Sequence, residues 1–169
     1  MSAPENLADC YSGELMDLVS ANDQMKVVVK KLAAKAGDSK LKSRLEKSIE
    51  GIQTHTDTVK ELLKDLGETG KEHCVGMEGL CKEAEKHAID EKIEDNDVRD
   101  VVIVAQYQRL CHYGICGFGT AKAFAEGLEN KAHVAKLDKI TADIYGADEN
   151  MSELAEMCVN LQAKTKESA

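Results

Sequence analysis

The chain has 169 residues, 43% of them apolar and 31% charged, with 12 glycines, 1 proline and 6 cysteines. A chain of that length buries roughly 68–70% of its unfolded surface, so folding requires neither a metal nor a disulfide, and one proline is too few turn-formers for a sandwich or barrel of short strands. Its formal charge of −9, from 22 basic against 31 acidic residues with no basic block, excludes the electrostatic footprint of a nucleic-acid binder and makes an anionic membrane an unsuitable partner.

The segment from Met1 to Cys10 is polar and no window approaches eighteen apolar residues, so neither a secretory leader nor a spanning helix is expected. The chain reads as a cytoplasmic protein. Its thiols, Cys10, Cys74, Cys81, Cys111, Cys116 and Cys158, are too sparse for a secreted disulfide scaffold and are expected to be reduced.

Helical periodicity dominates from the start. Leu15, Leu18, Met25, Val29 and Leu32 recur in steps of three and four, with Asn22 filling one gap and Gly37 stopping the run, which predicts a helix over about 8–36. A second run, Leu45, Ser48, Ile52, His55, Val59, Leu62 and Leu66, comes after the cap candidates Asp38 and Ser39 and ends at Gly67, predicting a helix over 39–66. The few residues between them make the two antiparallel neighbours. After a polar connection, Met77, Leu80, Cys81, Ala84 and Ala88 give a short helix over 74–88.

Asn96 and Asp97 are cap candidates for a fourth helix over 98–128, with Val101, Val104, Gln108, Cys111, Ile115 and Phe118 as its seam. Within it, Val101 to Val104 is an apolar run that in isolation would suit a buried strand, but the helical period continues through it. The fifth helix, over 131–164, carries the cleanest seam: Leu137, Ile140, Ile144, Ala147, Met151, Leu154, Cys158 and Leu161. Four helices of ~30 residues, each ~45 Å long, pack at about 20°. The expected fold is a single all-α domain over 1–169: an antiparallel four-helix bundle with a short extra helix in the crossover.

Polar members of the core seams are the informative residues: Asn22, Ser48, His55, Gln108 and Cys111. In metal-bearing bundles such positions carry inward ligands, commonly Glu with a Glu/His pair three apart; in others they form a hydrogen-bonded layer that fixes register. His55 has Ile52 and Thr58, not carboxylates, three residues away. Cys111 and His112 are adjacent, hence about 100° apart on a helix, and cannot face one centre. Cys74 and Cys81 are seven apart, which matches no zinc spacing. Gly114, Gly117 and Gly119 each cost up to ~1 kcal/mol inside a helix, so either a neighbour packs closely there or a pocket opens beside Cys111 and Phe118. No dinucleotide fingerprint, P-loop, nucleophile elbow or HExxH motif occurs.

The stretches Glu14 to Leu32, Leu41 to Gly67, Cys74 to Leu80 and Ala105 to Thr120, in that order and spacing, resemble the YciF-like branch of the ferritin-like proteins, a mostly bacterial, stress-associated family. The resemblance covers nearly the whole chain. It implies a ferritin-like bundle, pairing into homodimers, whose helices carry the carboxylates and histidine of a di-metal centre. At the matching positions this chain has Asn22 in the first helix, Ser48 and Gly51 in the second, Cys111 and Gly114 in the fourth, and Asp143 with Ile144 next to it in the fifth. Of these only Asp143 is a carboxylate.

A hard iron or manganese pair needs about four carboxylates plus histidines, so no cofactor is expected, and iron or manganese would return only if this helix register is wrong. His55, Cys111 and Asp143 remain as candidates for a softer metal if they converge. Three functional readings are open: a non-catalytic bundle acting in self-association or partner binding; a small-molecule binder using a cavity lined by Ser48, Gly51, Cys111 and Gly114; and a redox enzyme using Cys111 as a thiolate, with Cys116 or His55 near it.

Overall fold

A computed structural model describes residues 3–164, and among them all regular structure is helical. The ends of the domain expected over 1–169 therefore lie outside the described residues. Helix α1 (Leu7–Lys35) is capped by Asn6, whose side chain accepts from the Asp9 N–H at 3.0 Å. Helix α2 (Ser39–Asp65) starts at Asp38, whose carboxylate accepts from the Lys40 and Leu41 N–H groups. The short α3 (Val75–Glu85) is capped by the Cys74 sulfur and runs into a π-helical turn, Lys86–Asp90. Helix α4 (Asn96–Gly127) is next, capped by Asp95, not by Asn96 or Asp97 as the sequence suggests. Helix α5 (Lys131–Leu154) continues through a second π-helical turn, Ala155–Val159, into α6 (Asn160–Lys164).

Each long hairpin packs on itself, α1 on α2 and α4 on α5, and α1 joins the two by packing on α4. The result is an all-α bundle with α3 laid against α1 and α4. The turn after α1 is fastened by a buried carboxylate: Asp100, at the start of α4, accepts from the Gly37 and Asp38 N–H groups at 2.8 and 2.7 Å. Glycine at 37 eases this close approach, because a Cβ there would lie 3.0 Å from that of Asn96 and force one of the two to give by a few tenths of an ångström. Burial still pushes the Asp100 pKa above the ordinary aspartate range in spite of these bonds.

The core falls into two clusters. One, near the α1–α2 turn, gathers Met25, Val29, Leu32, Leu41, Leu45, Ile103, Leu110 and Met151; the other, at the opposite end, gathers Tyr11, Leu15, Leu18, Val59, Leu62, Phe118, Leu137 and Ile140. Between them lie Asn22, His55 and Gly114, with Ile144 touching both clusters. The seams of α1 and most of α2 run as their spacing predicts.

The structure corrects three seams. In α4 the inward stripe is Ile103, Tyr107, Cys111, Gly114 and Phe118, whereas Val101, Gln108 and Ile115 are only half-buried; Gln108 instead donates to the Ser152 hydroxyl at 2.8 Å. Leu66 is 39% exposed as the C-cap of α2. In α5 and its continuation Ile144 and Ala147, which border the gap between α2 and α5, and Cys158 are only half-buried, and Leu161 is 56% exposed because the π-helical turn at Ala155–Val159 inserts extra residues per turn and rotates α6 off the 3.6-residue stripe.

Two helices end in the same hydrogen-bond pattern with different residues. After α2, Gly67 takes φ +75° while its N–H reaches the Lys64 carbonyl and that of Glu68 the Leu63 carbonyl, the Schellman arrangement that glycine suits. After α4 the same pair of bonds forms, from Glu129 to Glu126 and from Asn130 to Ala125, but the left-handed residue is Glu129 at φ 58°. A left-handed L-residue costs about 1–2 kcal/mol, so Glu129→Gly is expected to raise stability by about 1 kcal/mol in urea denaturation. A neutral or destabilising result would show that the Glu129 side chain offsets its own strain.

Candidate ligand cleft

The middle of the bundle does not fill. Between α2 and α5, floored by α1 and α4, a cleft of ≈ 560 Å³ opens, and its walls include Asn22, Ser48, Gly51, His55, Cys111, Gly114 and Asp143. The positions singled out from the sequence thus come together in one place. The volume lies within the range of small-molecule sites.

The space comes from missing side-chain bulk. A Cβ built on Gly51 or on Gly146 would meet nothing within 4 Å, and one on Gly114 would touch only Ile144, at 3.4 Å. Gly117 is different, for it receives Leu18 of α1, which would lie 2.8 Å from a Cβ. Of the two explanations for the α4 glycines, close packing holds at Gly117 and an opened pocket at Gly114.

The polar groups of the cleft are partly tied down. Ser48 donates to the Arg44 carbonyl at 3.0 Å, so the Tyr107 hydroxyl, 2.7 Å away, donates to Ser48. Cys111 lies beside Tyr107, and burial pushes its thiol pKa up to about 12. A thiol protonated at neutral pH is a poor nucleophile, so this setting does not favour Cys111 as the thiolate of a redox site. Asn22 is 5% exposed, and among the described residues its Nδ2 has no hydrogen-bond partner. A buried amide donor left in this way costs about 1–3 kcal/mol.

Two polar clasps bridge the opening. At one end the Arg44 guanidinium donates to the Asn150 carbonyl; at the other His55 Nε2 lies 3.5 Å from Asp143 Oδ2. They are eleven residues apart on α2, hence ~16 Å along that helix. The His55 ring stands edge-on to Phe118, with centroids 6.2 Å apart. Arg44 and Lys47, both on the cleft wall, were not legible as site residues, since they lie off the apolar stripe and look like any solvated charge.

The di-metal group implied by the resemblance does not fit these residues. The positions that the resemblance would give to it hold an amide, a hydroxyl, a thiol and two glycines with one carboxylate, and no three His, Cys, Asp or Glu side chains among the described residues are placed to hold a metal ion. His55 and Asp143 meet, but Cys111 does not complete a ligand set with them.

Comparison with known proteins agrees with this fold. Residues 6–164 match the family described as a domain of unknown function, DUF892. The chain belongs to that family. Protein YciF of Escherichia coli K12 is 27% identical over 164 residues, 96% of this chain and 98% of its own. The crystal structure of that Escherichia coli stress protein superposes with a TM-score of 0.84 over 93% of this chain and 99% of its own. The YcfI protein of Rhodopseudomonas palustris, also 27% identical, gives a TM-score of 0.84 over 90% and 97%. No helix of this DUF892 protein, among the described residues, is long and apolar enough to cross a membrane.

Burial lowers the pKa of His55 below its ordinary 6.5, outweighing the nearby Asp143 carboxylate. His133, buried against the Tyr11 hydroxyl at 2.9 Å with Asp65 3.6 Å from its other nitrogen, is lowered too. A depressed folded-state pKa means that the unfolded chain binds the proton more readily. The stability these neutral rings carry is therefore complete above about pH 6.5 and lost as pH falls through 6.5 toward the folded-state values. Melting temperatures measured from pH 8 to 5 are expected to fall on acidification, less steeply in His55→Gln and less again when His133→Gln is added. An unchanged slope in the double variant would contradict this.

Proposed function

We propose that this protein is a non-catalytic, stress-associated bundle that binds a small ligand in its central cleft, in the space where related bundles would hold di-metal ligands. The observation that carries the reading is the coincidence of three features in one layer: the glycines at 51, 114 and 146 that leave the cleft open, the unpartnered Asn22 amide in its wall, and the intact apolar clusters on either side. A layer selected for stability alone would be filled, because each helical glycine costs ~1 kcal/mol relative to Ala and an empty site forgoes contacts on every wall. The description of the Escherichia coli relative as a stress protein supports the stress association.

The test uses the neutral apolar fluorophore N-phenyl-1-naphthylamine, suited to a chain that has no tryptophan. The protein is expected to bind one equivalent saturably. Gly51→Leu, whose Cβ would meet nothing within 4 Å and whose branched end would enter the cleft, is expected to abolish that binding while keeping or raising the melting temperature. Absence of saturable binding, or binding indifferent to Gly51→Leu, would overturn the reading.

A further inference from the structure

The charge of the cleft runs against the charge of the chain. The whole sequence carries −9, yet the cleft wall includes two cations, Arg44 and Lys47, against a single carboxylate, Asp143. Asp143 sits at the far end, beside His55. Neither cation has an acidic partner among the described residues: Arg44 is bonded to a backbone carbonyl, and Lys47 enters no ion pair. In a surface so rich in acids, two unpaired cations at the same end of an apolar slot form a receptor for one anionic group.

The shape limits the rest of the ligand. Between the cationic end and the His55–Asp143 end, the wall is formed by Ile52, Leu110, Ile144 and Met151, with the unpartnered Asn22 donor set among them. The two clasps are ~16 Å apart along α2. A slender chain fits that length, and a bulky polycyclic body does not suit a slot spanned at both ends.

We infer that the ligand is a slender amphipathic carboxylic acid, its carboxylate held by Arg44 and Lys47 and its hydrocarbon body lying along the slot toward His55. Guanidinium offers a planar fork to a carboxylate and lysine adds a compact charge, while the apolar walls supply the burial energy of the chain. This rests on the cleft being a binding site, as proposed above.

Calorimetric titration with octanoate, octanol and octylammonium, which share one body and differ in head charge, separates the claims. Octanoate is expected to bind at least tenfold more tightly than either of the others. In Arg44→Gln/Lys47→Gln that advantage of octanoate over octanol is expected to fall below threefold, with the melting curve of the variant as the check that it is folded. Equal affinity for octanoate and octanol, or a preference for octylammonium, would overturn the assignment of an acid while leaving the cleft as a binding site. Failure of all three to bind would overturn it as well, and the naphthylamine titration then tells whether the cleft itself fails.

Discussion

The structure depends on one layer in which four helices meet and do not fill the space between them. Above and below that layer, leucines, isoleucines and aromatic rings interlock into two separate clusters; within it, glycine, serine and a thiol replace bulk. The two clusters hold α1, α2, α4 and α5 in register independently of the middle. The middle is therefore free to remain open, whereas a gap of that size inside a single continuous core would cost stability in proportion to its volume.

The polar side chains of the layer are restrained from the outside of the cleft inward. Tyr107 and Ser48 satisfy each other and an α2 carbonyl, and His55 spans to α5 through Asp143. Further along the same seam, Glu61 meets Lys136 at 3.4 Å and Asp65 meets His133. The α2–α5 seam is thus bridged by polar contacts across an open cleft, whereas the α1–α2 and α4–α5 hairpins close through apolar side chains with polar bridges of their own, Lys26 to Gln53 in the first and Gln108 to Ser152 and Lys122 to Asp138 in the second. Exposed polar bridges contribute little stability each, and this is where the bundle opens.

The helices and most of the middle layer were legible in the sequence, because buried stripes must recur every three to four residues whatever their chemistry. Asn22, Ser48, His55 and Cys111 stood out as polar interruptions in apolar stripes, and the glycines as unfavourable helix residues. Other features were hidden for identifiable reasons. Tyr107 lies beside Gln108, and a one-residue ambiguity in an apolar-rich helix left the wrong member on the seam. Leu161 was displaced by a π-helical turn that no spacing rule announces. Arg44 and Lys47 become site residues only through the place where α5 crosses α2, which is a tertiary fact.

One carboxylate and one neutral histidine cannot balance two hard dications in a low-dielectric core, so the middle layer is proposed as an open site and not as a metal centre. The most direct measurement is elemental analysis by mass spectrometry of the protein equilibrated anaerobically with excess ferrous or manganous ion and then desalted. Far less than one metal ion per chain is expected, unchanged in Asp143→Asn. About two ions per chain, as di-metal bundles hold, and their loss on replacing Asp143, would contradict it.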